Sequence, residues 1–234
     1  MSNGPGIYHY IGKKARDVLY KDYAPQPPNK KIVNWGFDFS CQIDDIVPGL
    51  NTAFAFILPY QNEMEVQYLH EYAGITAGIS LPVNTLLNFS GVIGSSLLSI
   101  GTDLSFDVAS KKFDKLNAGL SFNSSIFMAS LTLNNMGDTV KASWYQPLSP
   151  LTNSAIAAEL SHSIFSSETI FTLGTQYSPF PLTLMKARMS SNGKLGALVR
   201  QELVPSVYLT IAGDVDVRTE ARSAKLGLSL AIKP

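Results

Sequence analysis

The end of the chain, residues 223–234, alternates strictly between apolar and other side chains. Leu226 and Leu228 fall on one face of this run, whereas Lys225 and Ser229 fall on the other. A period of two is typical of a β-strand with one apolar face and one face toward water. The same pattern recurs about fifteen times along the chain, with no central helix to cover the apolar faces. The repetition therefore favours a sheet that closes on itself as a barrel.

The predicted strands are about ten residues long, the length that crosses a bilayer when a strand is tilted. Strands of soluble proteins usually have about five or six residues. In lipid an open sheet edge would leave unpaired N–H and C=O groups, so the sheet must close. The strands are predicted at 34–43, 50–58, 63–72, 73–80, 85–94, 98–108, 115–123, 127–134, 139–145, 154–164, 169–177, 182–188, 194–202, 207–216 and 223–233.

The number of strands determines how such a sheet can close. An antiparallel meander with an odd number of strands closes only when its first and last strands pair in parallel. We therefore expect an all-β fold, a transmembrane antiparallel β-barrel of about 15 strands, in which 34–43 lies beside 223–233. Turn-forming residues at 44–45, 48–49, 135–138 and 190–193 agree with short connections between strands.

The composition is compatible with a membrane barrel. Charged residues make up 15% of the chain, against about 25% in typical soluble domains. The mean hydropathy is +0.10, and no apolar run approaches the ~20 residues that a membrane helix needs. The formal net charge is zero and no basic cluster is interleaved with aromatic residues, so no nucleic-acid binding is expected. On composition alone, a low-charge soluble β-protein explains these values equally well.

Residues 7–21 differ from the rest of the chain because their apolar residues recur at helical spacing. This pattern predicts one amphipathic helix of roughly four turns. Asp17 and Asp22 argue against an acid-poor targeting helix, which leaves a helix on a membrane surface or one packed against a barrel wall. Three prolines at 25–28 predict an extended linker after it. We expect two parts, a helix and linker at 1–31 and a barrel at 32–234.

Residues that could carry covalent chemistry are scattered. His9, His70 and His162 are far apart, and none has metal-ligand spacing with the single cysteine, Cys41. Nucleophile-elbow, P-loop and dinucleotide-binding motifs are missing from the sequence. A secretory signal peptide is not visible either. We therefore expect no enzyme activity, no metal and no cofactor.

Six segments of the chain carry a resemblance to a known family. They are 4–8 (GPGIY), 11–23 (IGKKARDVLYKDY), 106–107 (FD), 117–123 (NAGLSFN), 191–194 (SNGK) and 225–234 (KLGLSLAIKP). In these segments the chain resembles the mitochondrial voltage-dependent anion channel family, most closely its plant branch. The family implies a barrel of 19 strands with the N-terminal helix inside the pore. Here the linker leads directly into 34–58, which resembles roughly the fifth and sixth strands of the family, so about four strands are missing.

The resemblance implies a voltage-gated, weakly anion-selective pore for small metabolites and ions across the mitochondrial outer membrane. The expected partners are the lipid bilayer and, as permeants, small anions and nucleotides, with association into homo-oligomers left open. The missing strands support an alternative, a non-conducting or reduced-conductance porin paralogue that acts as a binding protein. A soluble ligand-binding barrel is a third, weaker interpretation.

Candidate site residues follow from the resemblance and from the polar strand faces. The family places Lys13, Arg16 and Lys21 in the helix that faces permeants, and Lys14 lies beside them. The pore wall adds cations at Lys186, Arg188, Lys194, Arg200 and Lys225, with the main anion preference expected from the helix and the cluster from Lys186 to Arg200. Further charges on the polar faces are Lys115, Lys141, Lys233, Asp38, Glu63, Glu65, Asp103, Asp107, Glu202, Asp214 and Asp216.

The two signs nearly cancel on the polar faces, so selectivity is expected to be weak at most. The last strand also fits the polar-x-Gly-x-x-apolar-x-apolar signal by which such barrels are recognised for insertion into the outer membrane. The residues of that signal are Lys225, Gly227, Leu230 and Ile232.

Overall fold

The computed structural model describes residues 4–23, 37–44, 50–58, 61–80, 85–149, 152–205, 207–218 and 224–232. The linker is predicted at 22–31, and all of it beyond Tyr23 lies outside these residues. So do residue 45 of the predicted turn at 44–45, the predicted turn at 48–49, and Lys233. The division into a helical part and a barrel part stays a prediction. Among the described residues, no helix is long and apolar enough to span a membrane.

The described strands form one antiparallel sheet in which each strand pairs with its neighbours in the sequence. The number and type of elements therefore confirm the predicted all-β meander. The chain begins with a 3₁₀ turn at Tyr8–Tyr10 and a helix α1 at Lys13–Leu19. The strands are β1 (Phe37–Asp44), β2 (Leu50–Leu58), β3 (Gln61–Leu69), β4 (Ala73–Ser80), β5 (Leu86–Gly94), β6 (Leu98–Asp107), β7 (Lys112–Asn123), β8 (Met128–Asn134), β9 (Thr139–Ser149), β10 (Ser154–Ser163), β11 (Thr169–Phe180), β12 (Thr183–Ser190), β13 (Lys194–Val204), β14 (Val207–Asp216) and β15 (Ala224–Ile232).

The sheet buries polar side chains and exposes apolar ones. In β6, Ser99 and Ser105 are buried, whereas Ile100 is exposed. In β15, Leu226 and Leu228 are 83% and 73% exposed. Soluble proteins show the opposite arrangement, and a contiguous apolar surface of this kind needs an apolar environment. The burial pattern therefore indicates that the exposed face of the sheet contacts lipid.

The hairpin turn between β8 and β9 was expected from its residues. Asn135, Met136 and Gly137 all adopt positive φ angles, of 53°, 55° and 92°. Asparagine and glycine tolerate this backbone region. The N–H groups of Gly137 and Asp138 donate to the carbonyls of Asn134 and Asn135, which closes this four-residue connection. The turn signal at 135–138 is thus confirmed, and the register of β8 against β9 follows from it.

Several strands extend beyond their predicted ends, and β9 is one of them. The predicted strand ends at 145, two residues before Pro147, which lacks an N–H group for the ladder. In the structure β9 continues to Ser149, and the register against β10 shifts between Ser154 and Ala155. Ser154 faces Ser149 while Ala155 faces Pro147, so Leu148 is an extra residue in a bulge. The bulge accommodates the proline inside the strand.

The predicted four-turn helix at 7–21 is too long. A 3₁₀ turn and a seven-residue α-helix lie on either side of Gly12, whose φ angle is 68°. That left-handed conformation is open to glycine and interrupts a regular right-handed helix. The amphipathic pattern itself is confirmed, since Ile11, Ala15 and Val18 are all buried.

Closure of the sheet stays a prediction. Among the described residues, the hydrogen-bonded strand pairs run from β1 to β15 without a pair between β1 and β15 themselves. The parallel pairing of these two strands, which a closed barrel of 15 strands requires, is therefore not part of the described structure.

Candidate functional site

The N-terminal segment, residues 4–23, lies on the polar face of the sheet. Helix α1 contacts β9, β10, β11 and β12, and the 3₁₀ turn contacts β5 and β6. Ala15, Val18 and Leu19 pack with Ala157 of β10, and Tyr145 of β9 adds its ring to this cluster. Burying a leucine side chain stabilises this contact by about 1.5–3 kcal/mol. The apolar stripe of the helix is thereby removed from water, as predicted for a helix packed on the wall.

Three glycines make room for the first half of the segment. A Cβ atom at Gly74 of β4 would lie 2.0 Å from the carbonyl oxygen of Gly6. At Gly101 of β6 a Cβ would lie 3.1 Å from the Tyr8 ring, and at Gly119 of β7 it would lie 3.1 Å from Ile11. Side chains at these positions would push the segment away from the wall. The glycines therefore fix where the segment crosses β4 to β7.

Two more glycines lie under the second half of the segment. A Cβ atom at Gly174 of β11 would come within 2.7 Å of the Leu19 side chain, and one at Gly196 of β13 within 3.0 Å of the Tyr23 ring. Both glycines face Arg188 of β12 in the register of the sheet. Arg188 therefore has an open space on either side, which it shares with the end of the N-terminal segment.

The Arg188 guanidinium joins four groups. Its Nη1 donates a hydrogen bond to the Leu19 carbonyl at 3.1 Å. Its Nη2 forms an ion pair with Asp214 of β14 at 3.0 Å. The ring centroids of Tyr23 and Tyr20 lie 4.6 and 5.7 Å from the guanidinium carbon. A planar cation with several donors suits such a site, because it can stack on aromatic rings while it donates.

Lys186, two residues before Arg188 on the same face of β12, is also engaged with the helix. Its side chain is only 6% exposed, and its Nζ donates to the Asp17 carbonyl at 2.7 Å. The last carbonyl groups of a helix have no partner within the helix and carry partial negative charge. A lysine ammonium at this point satisfies one of them, so Lys186 contacts the end of α1.

Arg200 of β13 holds the residue that follows the helix. Its guanidinium lies 2.6 Å from a carboxylate oxygen of Asp22, and its Nε donates to Thr210 at 3.3 Å. Asp22 has a φ angle of 72°, which turns the chain after α1. Three of the wall cations predicted from the sequence, Lys186, Arg188 and Arg200, thus contact the end of the N-terminal segment.

Glu159 and Tyr23 are site residues that the sequence analysis missed. Glu159 of β10 is 5% exposed and accepts a hydrogen bond from the Tyr20 hydroxyl at 2.8 Å. Burial, and then the Glu159 carboxylate, raise the pKa of Tyr20, so the hydroxyl keeps its proton and can donate. Burial also raises the pKa of Tyr23 to about 12. Tyr23 packs with Leu198 and Ala212, although the sequence placed it in a linker.

The remaining cations of the segment face a cavity of about 780 Å³ or open solvent. Lys13 and Lys14 line this cavity, and their ammonium groups lie over the rings of Tyr10 and Tyr145, at 4.7 and 5.8 Å. Lys21 is exposed. Arg16 donates to the His9 carbonyl at 2.7 Å. Burial, with Arg16 and Lys13 nearby, lowers the pKa of His9, so His9 is expected to be neutral at pH 7.

A second cavity, of about 500 Å³, lies beyond the end of the helix. Lys194 and Lys225, two of the predicted wall cations, line it together with Lys141 and the carboxylates of Asp214 and Asp216. Lys194 and Lys225 are exposed. Within the part of the chain that the structure describes, no ion pair involves either of them. Arg188 also borders this cavity, but its guanidinium is hydrogen-bonded to the segment and paired with Asp214, whereas the two lysines are exposed to water.

The predicted insertion signal lies in β15. Leu230 is exposed on the lipid-facing side, and Gly227 and Lys225 lie on the opposite side. The side chain of Ile232 lies outside the described part of the chain. The geometry fits an amphipathic strand, and the role in insertion stays a prediction.

Comparison with known proteins decides the family. The family model described as eukaryotic porin matches residues 35–227, most of the chain. This chain belongs to the eukaryotic porin family. It is a family of channels, so the chain is a pore-forming protein rather than an enzyme. The apolar face toward lipid and the polar face that contacts the N-terminal segment agree with this family.

Three of the relatives are plant porins of the mitochondrial outer membrane. The chain is 44% identical to the mitochondrial outer membrane porin of 36 kDa from Solanum tuberosum, with complete coverage of both chains. It is 42% identical to mitochondrial outer membrane porin 1 from Arabidopsis thaliana and 40% identical to the 34 kDa porin from Solanum tuberosum, again over the full length of both. The chain is accordingly a multi-pass strand protein of the mitochondrial outer membrane.

The alignments also bear on the number of strands. Each extends over 276 positions, 42 more than the 234 residues of this chain. Strands that cross a bilayer have about ten residues each, so a difference of this size corresponds to about four strands. It agrees with the 15 strands in the part of the chain that the structure describes and the 19 of the mitochondrial porin barrel.

Removing the Tyr20 hydroxyl is expected to loosen the segment. In Tyr20→Phe the buried Glu159 carboxylate loses its hydrogen bond, which costs about 1.5–3 kcal/mol for a bond to a charged group. Local opening of the backbone around Lys21, which cleavage requires, should then be at least about tenfold more frequent. Trypsin cleavage after Lys21 in reconstituted protein measures this. Tyr10→Phe is the control, and cleavage of Tyr20→Phe at the wild-type rate would contradict the assignment.

Proposed function

We propose that the chain forms a voltage-gated, weakly anion-selective pore for small metabolites, nucleotides and other ions. The observation that supports anion preference is the charge of the N-terminal segment. The segment carries four cationic side chains, Lys13, Lys14, Arg16 and Lys21. Of its two carboxylates, Asp22 is paired with Arg200, which leaves Asp17 to offset their positive charge. Cations that border a water-filled path favour the entry of anions. Elsewhere on the polar face acidic and basic residues are nearly balanced, so the preference is weak.

The position of the segment supports a voltage response. A charge that crosses the whole membrane field changes in energy by about 2.3 kcal/mol per 100 mV. The segment carries an excess of positive charge and is held on the wall by side-chain contacts rather than by strand pairing. A voltage can therefore bias how long those contacts persist. Gating follows if release of the segment narrows the path for ions.

Planar-bilayer recording tests the selectivity. In a salt gradient, the variant Lys13→Gln, Lys14→Gln, Arg16→Gln, Lys21→Gln is expected to shift the reversal potential toward the cation side. The control is Lys111→Gln, Lys112→Gln, which removes two exposed charges at the turn between β6 and β7. Unchanged reversal potential and conductance in the first variant would contradict the proposal. Wild-type protein that inserts without channel steps would favour the non-conducting paralogue instead.

A further inference from the structure

The side chains of Lys186 and Arg188 both donate to carbonyl groups at the C-terminal end of α1. Such a position is unexpected for residues that were predicted to attract permeant anions. We infer that these two residues form a clamp that fixes the end of α1 on β12, and that anion preference at the wall comes from Lys194 and Lys225 instead. The first part concerns the position of the segment, and the second rests on the proposed function. The clamp is defined here as Lys186 and Arg188 only.

The spacing of the clamp matches the spacing of its acceptors. Lys186 and Arg188 are two residues apart in a strand, so both side chains leave the same face of β12. They reach the carbonyl groups of Asp17 and Leu19, at 2.7 and 3.1 Å, which are also two residues apart. These carbonyls belong to the last turn of the helix, where a nearby cation is favourable.

The surroundings of Arg188 are built to hold it in this position. Gly174 and Gly196 flank it, and a Cβ atom at Gly196 would lie 2.8 Å from its Nε. Asp214 pairs with its Nη2, and the Tyr23 ring stacks at 4.6 Å. The Nε of Arg188 has no hydrogen-bond partner among the described residues and the side chain borders the cavity of about 500 Å³, but both terminal nitrogens are engaged. A guanidinium held in this way is less available to a passing ion than a lysine without an ion pair. The contacts therefore assign Arg188 to positioning the helix.

The charge of the clamp is also less effective than the charge of the exposed lysines. Asp214 compensates Arg188, and the helix terminus partly compensates the buried Lys186. Lys194 and Lys225 are exposed at the cavity of about 500 Å³. They lie opposite Asp216 and Asp214 in the register of the sheet, but among the described residues no ion pair joins them to these carboxylates. Selectivity depends on charges that face the ion path, so these two should dominate over Lys186 and Arg188.

A distance measurement tests the clamp without relying on conductance. In a Cys41→Ser background, spin labels at Lys14→Cys and Leu195→Cys report the separation of α1 from β13 in liposomes. The parent protein and the control Lys194→Met, Lys225→Met should both give one narrow distance distribution. Lys186→Met, Arg188→Met should give a broad or second distribution, and Arg188→Lys with Lys186 intact should restore the narrow one.

The second readout is the reversal potential in a salt gradient. Lys194→Met, Lys225→Met should shift it at least threefold more than Lys186→Met, Arg188→Met. If the double clamp variant does not insert, Lys186→Met alone, which keeps the ion pair of Arg188 with Asp214, replaces it in both measurements. A narrow distribution in the clamp variant, or an equal or larger shift of the reversal potential, overturns the inference. Protein without channel activity would overturn the proposed function, while the distances would still test the clamp.

Discussion

Replacing Gly174 by valine is expected to release the second half of the N-terminal segment from the wall. A Cβ atom at this position would lie 2.7 Å from the Leu19 side chain and 3.2 Å from the Ala187 carbonyl oxygen. Leu19 is fully buried, so its side chain has no free space into which it can turn. A β-branched side chain at position 174 would therefore occupy space that the Leu19 side chain fills, so the two cannot both be accommodated.

The size of this effect follows from the burial of Leu19. Exposing a buried leucine costs about 1.5–3 kcal/mol, so the fraction of molecules with the segment released should rise about 10- to 100-fold. Trypsin cleavage after Lys21 in reconstituted protein measures the released fraction. Gly91→Val is the matched control, because a Cβ atom at Gly91 meets nothing within 4 Å. Equal cleavage of the two variants would show that the segment does not rest on β11.

The second large effect is expected on the opposite face of the sheet. Ile211, near the middle of β14, is 49% exposed on the apolar side. An arginine on the lipid face of a barrel costs about 2–4 kcal/mol at the bilayer midplane. Ile211→Arg should therefore lower the free energy of unfolding in lipid vesicles by about this amount, as measured by denaturant titration.

The control for this prediction places the same residue on the polar face. Ser229 of β15 is exposed and lies opposite Thr210, next to Ile211. Ser229→Arg should change the free energy of unfolding little, since its side chain can remain in water. If Ser229→Arg were as destabilising as Ile211→Arg, the assignment of the two faces would be wrong.

The sequence predicted the elements well because strand periodicity is a local signal. In β6, for example, the sequence places Asp103 and Asp107 on the polar face, and in the structure the buried Ser105 lies on that face while Ile100 is exposed on the other. The helical spacing that predicted the apolar stripe of the helix is also a local signal. The break at Gly12 was missed because one glycine is tolerated in a helical pattern, and its left-handed φ angle depends on the wall beneath it.

The strand β10 shows why the candidate site was harder to predict. Ala155 and Ala157 are buried on the polar side of the sheet, and Ala157 packs against the N-terminal segment. Both faces of β10 are therefore apolar over this stretch, and the alternation that revealed other strands is weak. Glu159, on the same face, was missed as a consequence. Its partner Tyr20 is 139 residues away in the chain, a pairing that periodicity does not reveal.

The wall cations show the same limit. Periodicity placed Lys186, Arg188 and Lys194 on the polar face, and the structure agrees for the face. The structure shows that these cations have different partners. Lys186 and Arg188 donate to α1, whereas Lys194 is exposed at a cavity. A pattern of alternation gives the direction of a side chain but not what lies above it, which here is a segment more than 160 residues earlier.

The assignment of the two faces is tested most directly by a cysteine scan of β15 in a Cys41→Ser background. Each cysteine is labelled with a fluorophore in lipid vesicles and exposed in turn to a lipid-soluble and a water-soluble quencher. The six positions are Lys225, Leu226, Gly227, Leu228, Ser229 and Leu230. We expect the even-numbered positions to be quenched from lipid and the odd-numbered ones from water, in strict alternation. Quenching that does not alternate, or that alternates in the opposite sense, would contradict the arrangement of this sheet with its apolar face in lipid and its polar face toward the N-terminal segment.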